Sequence, residues 1–196
     1  MSDPIIHYFF VQSPWSFFGF RPAVEIARKH GVGIIHKPCR AADVWEHGGG
    51  VPLAKRPKAR QEYRMAELKR WSAHLGIPIN LQPKFFPVDE TLAARTIIAV
   101  QDDGKDASTL IETLMGDVWL HERDIAEPQT VRDALIKCDL SAEYLENADL
   151  PAIAGIYDAN CQAARDHNIF GVPSYVVGSE LFWGQDRLDF VDRALS

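Results

Sequence analysis

The feature of this sequence that most limits its fold is an apolar run followed directly by an amphipathic helix. Residues 5–11 (Ile-Ile-His-Tyr-Phe-Phe-Val) predict a buried β-strand. Residues 17–29 place apolar and charged side chains on opposite sides of a helix. Residues 13–16 (Ser-Pro-Trp-Ser) therefore lie where the strand ends and the helix begins. At such a junction, unpaired backbone N–H groups and the helix dipole stabilise an anion.

The two serines of this segment have the spacing of a Cys-x-x-Cys redox motif but carry no sulfur. We therefore hypothesise an anion-stabilising site to which a thiolate is brought from outside. Ser13 is also a good N-cap residue, and a capping hydroxyl can still donate to a bound thiolate. Ser16 lies within the helix, where its hydroxyl can simply bond locally.

The order of the predicted elements is β-α-β, a helical segment, and then β-β-α. A second strand over residues 33–39 completes a βαβ unit. The strands return only as a hairpin, 174–177 and 181–183, before a final helix that Asp186 opens. This order predicts an α/β protein with a thioredoxin-like fold and an inserted α-helical domain. Residues 1–45 and 168–196 would form the thioredoxin-like domain, and residues 46–167 the insert.

Within the insert, apolar spacing predicts several helices. They include a helix at 91–100, a largely buried one at 110–119 and an amphipathic one at 153–167. Thr130 is expected to cap one short helix and Ser141 to start another. A glycine-rich stretch at 48–52 interrupts the regular structure.

Charge and composition exclude several classes of function. The 196-residue chain has a net charge of −6 with scattered basic residues, which argues against nucleic-acid binding and a polybasic membrane patch. No apolar run approaches the ~20 residues of a membrane span, and no signal stretch is present. The three cysteines are widely separated, and the seven histidines lack metal-ligand spacing, so we expect no metal site. A reducing, cytoplasmic setting fits best.

Four separated motifs resemble the kappa-class glutathione transferases and the bacterial 2-hydroxychromene-2-carboxylate isomerases of the DsbA-like superfamily. They are residues 13–19 (SPWSFFG), 124–129 (DIAEPQ), 170–173 (FGVP) and 184–188 (GQDRL). The resemblance extends from about Ile5 to Leu195, and residues 52–56 (PLAKR) are more similar to the isomerase branch. It implies a DsbA-like thioredoxin fold with a helical insert, glutathione as cofactor, and a homodimer.

The resemblance also implies roles for particular residues. Ser13 would be the hydroxyl that activates the glutathione thiol. Pro173 would follow a cis peptide bond that presents the backbone of Val172 to the cysteinyl part of glutathione, as an added strand would be presented. Gln185 and Asp186 would hold the γ-glutamyl end. Purely structural roles are available too, because Pro173 can begin a strand and Asp186 can cap the last helix.

The substrate-binding residues are the least settled. Trp15 and Trp183 are candidates to flank an aromatic ring, and Lys55 and Arg56 to bind its carboxylate. The basic residues can instead form a solvated helix start or bind the glycyl carboxylate of glutathione. Family members carry Asn-x-Pro near this segment, whereas this chain has Gly-Val-Pro at 50–52.

These observations favour a glutathione-dependent cis–trans isomerase. Its substrate would be a small aromatic carboxylate, 2-hydroxychromene-2-carboxylate or a related intermediate of aromatic degradation, converted to trans-o-hydroxybenzylidenepyruvate or its counterpart. A kappa-like glutathione transferase would use the same site. A disulfide oxidoreductase is disfavoured because positions 13 and 16 lack cysteine, and a non-catalytic glutathione-binding module remains open.

Overall fold

The centre of the molecule is a mixed four-stranded sheet, in a computed structural model that describes residues 3–196. Its strands are β1 (Ile5–Phe9), β2 (Ile34–Pro38), β3 (Ser174–Val177) and β4 (Glu180–Trp183), in the order β2-β1-β3-β4. Strands β1 and β2 are parallel, with Ile5 opposite Ile34, and the other neighbours are antiparallel. The predicted βαβ unit and terminal hairpin are both confirmed. The first two strands are somewhat shorter than predicted.

The helices account for most of the remaining chain. They are α1 (Pro14–His30), α2 (Ala41–Gly48), α3 (Lys58–Leu75), α4 (Thr91–Asp102), α5 (Ser108–Trp119), α6 (Pro128–Lys137), α7 (Glu143–Asn147), α8 (Pro151–Asp166) and α9 (Leu188–Ala194). Short 3-10 turns occupy Leu53–Lys55 and Gln185–Arg187. Among residues 3–196, no helix combines the length and apolar character required to cross a bilayer.

Three details of the helices differ from or extend the sequence-based predictions. Helix α2 was not predicted, and it ends at the glycine stretch, where Gly49 adopts φ 68° and donates its N–H to Trp45 O. Thr130 does not cap a helix, because α6 already begins at Pro128. A helix does begin close after Ser141, but its N-cap is Ala142, and the Ser141 Oγ accepts the N–H of Glu143 at 3.2 Å from one position before the cap.

The sheet is covered on both faces. Helices α1 and α9 pack on one face, where Ile5, Ala27 and Val191 are buried in one cluster. A larger cluster runs without interruption from Tyr8 of the sheet to Leu114 of the insert. The insert therefore packs on the sheet through a shared apolar core. Helix α2 crosses the predicted boundary at residues 45–46, and that boundary stays a prediction.

Two buried histidines face each other across β1 and β2. The Nδ1 atoms of His7 and His36 lie 3.0 Å apart, and the His7 ring stacks between Phe9 and Tyr175. Burial holds the pKa of His7 well below its usual value and lowers that of His36 to about 4. The sheet thus contains a histidine pair that is uncharged at neutral pH.

Candidate active site

All four strands have one end at the same end of the sheet, where the C-termini of β1 and β2 lie; we call this end the sheet edge. The parallel strands β1 and β2 end there, antiparallel β3 begins there, and β4 ends there. This edge therefore collects the segments 10–13, 39–40, 171–173 and 184–185. The N–H of Gly184 donates to Pro173 O at 2.9 Å and ties the last two segments together. The topology brings Ser13, Val172, Pro173, Trp183 and Gln185 to this edge, as the proposed site requires.

Ser13 is the N-cap of helix α1. Its backbone is extended, and its Oγ accepts the N–H of Ser16 at 3.2 Å. Pro14 occupies the first helical position, where its missing N–H costs nothing. The Ser13 Oγ is only an acceptor in this bond, and within residues 3–196 it makes no other hydrogen bond. Its own O–H proton is therefore available to donate to an anion at the positive end of a 17-residue helix.

The residue before Ser13 is held by a buried carboxylate that sequence reasoning missed. Glu90 accepts the backbone N–H of Gln12 at 3.0 Å and its side-chain amide at 3.3 Å. The Gln12 side chain in turn accepts the N–H of Val88 at 3.1 Å. Burial raises the pKa of Glu90 to about 7, although the bonds from Gln12 act in the opposite direction. A group that titrates near neutrality thus supports the loop that carries Ser13.

The segment before β3 lies against the indole of Trp183. The Val172–Pro173 peptide bond is cis, as the family resemblance implied, and both residues are buried. A Cβ placed on Gly171 would lie 2.5 Å from Nε1 of Trp183, so only glycine permits this approach. Trp183 also packs edge-on against Phe170, with ring centroids 4.8 Å apart, and 52% of its surface remains exposed. An exposed aromatic surface therefore adjoins the proline loop.

Gln185 and Asp186 have different environments. Gln185 is buried against α1. A Cβ added to Gly19 of that helix would lie 2.9 Å from the Cβ of Gln185. Asp186 is exposed and pairs with Arg187 at 2.7 Å. The expectation that Asp186 caps the last helix is wrong, because α9 begins at Leu188 and Asp186 lies inside the preceding 3-10 turn.

The basic segment is the part of the predicted site that the structure does not join to Ser13. Lys55 is exposed at the end of a 3-10 turn. Arg56 is half-buried, and its Nε donates to Val51 O at 2.7 Å. Within residues 3–196, no hydrogen bond or ion pair connects either side chain to the segments at the sheet edge. Trp15 is half-buried in the first turn of α1, with its ring 6.2 Å from that of Phe18.

The fold and this site define the class of protein. Residues 4–196 match the family model described as DSBA-like thioredoxin domain, and the chain belongs to that family. Its three cysteines lie away from positions 13 and 16, and Cys39 and Cys161 are buried.

Relatives with curated names match nearly the whole chain. A 2-hydroxychromene-2-carboxylate isomerase of Sphingobium xenophagum is 26% identical, over 100% of this chain and 99% of its own. The enzyme of that name from Pseudomonas putida is 28% identical over 96% and 92% of the two chains. Human glutathione S-transferase kappa 1 is 25% identical over 96% and 88%. These relatives place the chain among proteins named as isomerases and as a glutathione transferase.

Solved structures agree on the fold. A 2-hydroxychromene-2-carboxylate isomerase structure superposes with a TM-score of 0.79 at 22% identity, over 97% of this chain and 93% of the other. A probable DsbA oxidoreductase of Streptomyces coelicolor superposes with a TM-score of 0.75 at 14% identity, over 98% and 88%. These likenesses confirm the predicted thioredoxin-like fold with its helical insert.

Proposed function

We propose that the protein is a glutathione-dependent isomerase that converts the cis double bond of ring-opened 2-hydroxychromene-2-carboxylate, or of a related aromatic intermediate, to trans. The observation that carries this proposal is the Ser13 hydroxyl, which caps a long helix and keeps its proton free to donate. Redox proteins of this fold class need a cysteine at this junction, and this chain has none there. The names of the relatives in Sphingobium and Pseudomonas support the choice of reaction.

The described residues fit glutathione in the chemistry of their donors and charges. Ser13 and the first turn of α1 suit a thiolate, since both present positive potential to it. Val172 lies two residues before β3, next to the cis bond, where its backbone groups suit an extended peptide. Asp186 and Arg187 lie side by side with opposite charges, which matches the ammonium and carboxylate of a γ-glutamyl group.

When bound, glutathione would supply a thiolate that adds reversibly to the conjugated double bond, so that the bond can rotate before the thiolate leaves. An ordinary thiol has a pKa of about 8.5, and each unit by which this is lowered corresponds to about 1.4 kcal/mol. Ser13 would stabilise negative charge on sulfur by donating a hydrogen bond from its O–H, and the dipole of α1 would add to this. Trp15 and Trp183 offer ring surface to an aromatic substrate, and Lys55 and Arg56 offer cations for its carboxylate.

The test is Ser13→Ala, which removes the hydroxyl and leaves the helix N-terminus in place. If the hydroxyl contributes one charge-assisted bond of about 1.5–3 kcal/mol, turnover falls about ten- to a hundred-fold. The thiol pKa of bound glutathione, followed by ultraviolet absorbance, rises in the same variant. Ser16→Ala removes the same atom one turn later and serves as the matched control. Unchanged turnover and thiol titration in Ser13→Ala would show that Ser13 is only a cap.

A kappa-like transferase is the second candidate, because the human kappa-class enzyme matches at 25% identity over most of both chains. The two reactions differ in their use of glutathione. An isomerase regenerates it, whereas a transferase consumes one molecule per product. Quantifying free glutathione during turnover of the chromene carboxylate and of a model electrophile separates them.

A further inference from the structure

Two arginines of the insert are partly buried and have no carboxylate partner within residues 3–196. Arg56 precedes helix α3 and Arg64 lies in its second turn, and both are half-buried. Within residues 3–196, no Asp or Glu oxygen lies within 4.0 Å of either guanidinium. Most other arginines at similar exposure are paired. For example, Arg40 and Arg165 contact Asp43 at 2.6 and 2.7 Å. Within residues 3–196, Arg95 is the one other half-buried arginine without an ion pair.

The contacts that the two guanidinium groups do make leave most of their N–H donors unused. Arg56 donates its Nε to Val51 O, and Arg64 lies over the Phe86 ring, 5.3 Å from its centroid. The one polar contact of Arg64 described in residues 3–196 is a weak one, 3.9 Å to the sulfur of Met65. Stacking on a ring leaves the in-plane donors of a guanidinium free, and these match a planar carboxylate.

Partial burial and a neighbouring positive charge disfavour the charged state of both arginines in the free protein. Burial and the neighbouring Arg56 together lower the pKa of Arg64 to about 10, and burial and Arg60 lower that of Arg56. Like charges that are partly desolvated and unpaired cost free energy unless an anion binds between them. A bound anion would therefore stabilise the charged state of Arg56 and Arg64.

We propose that Arg56 and Arg64 bind a carboxylate of a ligand at the Ser13 site. This inference rests on the proposed function, which supplies two carboxylates: that of the aromatic substrate and the glycyl carboxylate of glutathione. A short chain of contacts connects the pair to the site. Arg64 stacks on Phe86, and Val88, two residues further, donates to the side chain of Gln12, the neighbour of Ser13. Arg64 thus replaces Lys55 as the partner of Arg56.

The experiment compares binding of charged and uncharged probes by titration calorimetry. Trans-cinnamate is paired with cinnamamide, in saturating glutathione, and glutathione is paired with its glycyl ethyl ester. The wild-type protein should prefer the charged member of at least one pair by about ten- to a hundred-fold, the range of one charge-assisted bond. Arg64→Met, which keeps an apolar contact with Phe86, and Arg56→Gln should each remove most of that preference. The pair of probes that is affected identifies the source of the carboxylate.

Arg70→Gln is the matched control, because Arg70 lies on the same helix but is exposed and paired with Glu67. It should leave the charge preference unchanged. A charge preference that persists in both Arg64→Met and Arg56→Gln, or that falls equally in Arg70→Gln, would overturn the proposal.

A second measurement does not depend on turnover or on glutathione. The midpoint of thermal unfolding of the free protein should be higher in Arg64→Met than in the wild type, because an unpaired buried charge has been removed. If neither Arg64→Met nor Arg56→Gln is stabilised, the two charges are not unpaired in solution and the site is wrong. An inactive wild-type enzyme that passes both tests would instead contradict the proposed function and leave the carboxylate site intact.

Discussion

The sheet interior and the sheet edge each bury a hydrogen-bonded pair of polar side chains, and the two pairs respond differently to burial. His7 and His36 lie in the middle of the sheet, and the pKa of His36 falls to about 4. Glu90 and Gln12 lie at the edge, and the pKa of Glu90 rises to about 7. Desolvation favours the neutral form in both pairs. Desolvation moves the pKa of a histidine away from neutrality and that of a carboxylate towards it, and so only the edge pair changes charge near neutral pH.

The difference separates a structural pair from one able to influence function. A histidine with a pKa of about 4 stays neutral across the physiological range and acts as a packing element. A carboxylate with a pKa of about 7 changes charge in that range, directly behind the residue that precedes Ser13. Their effects on stability have opposite signs and partly offset each other in the wild-type protein.

The largest expected effect comes from removing the histidine pair. The folded pKa of His36 lies below its unfolded value of 6.5, so its contribution to stability is present above that pH and is lost as the pH falls towards about 4. The loss is about 3 kcal/mol for His36, and His7 adds to it. A His7→Phe/His36→Leu variant should therefore gain at least this much stability relative to the wild type between neutral pH and pH 4. Urea unfolding at a series of pH values measures it.

The control for the histidine pair is His121→Asn, since His121 is exposed. It should follow the wild-type pH profile. A double variant whose stability changes with pH as the wild type's does would show that the buried pair is not the source of acid sensitivity.

The next effect is that of Glu90→Gln, with the opposite sign. The folded pKa of Glu90, about 7, lies above its unfolded value of 4.5, so its contribution is complete below that value and is lost as the pH rises through 7. Relative to the wild type, Glu90→Gln should gain up to about 3 kcal/mol between pH 4.5 and pH 8. The exposed Glu143→Gln is the control. Parallel profiles for Glu90→Gln and the wild type would place the Glu90 titration outside this range.

The smallest effect concerns Ser16. Its hydroxyl is buried without a hydrogen-bond partner within residues 3–196. Ser16→Ala removes an unsatisfied polar atom and introduces a better helix former, so we expect stability to rise by about 1 kcal/mol with turnover preserved. A fall in turnover comparable with that of Ser13→Ala would assign Ser16 a direct part in the reaction.

Local sequence signals were sufficient for most of the fold and for the centre of the site. The strand–serine–helix junction at Ser13 was predictable because every signal for it lies within a few adjacent residues. Helix α2 was missed because the glycines that end it hid the short apolar pattern before them. Glu90 and Arg64 were missed because their roles depend on Gln12 and Phe86, 78 and 22 positions away in the chain. The residues next to Glu90 and Arg64 in the sequence carry no pattern that indicates either contact.

The positions at which the insert leaves and rejoins the sheet have a consequence for evolution. It departs after β2 and returns before β3, on the same edge and two strand spacings apart, which is about 10 Å. A segment whose ends lie that close can change length at little entropic cost. The helical half can thus change in length away from its buried contacts while the strands stay in place, provided that Glu90 keeps its bonds to Gln12. If Ser13 acts as proposed, an enzyme of this design can acquire new substrates through changes in the insert, because Ser13 lies outside it.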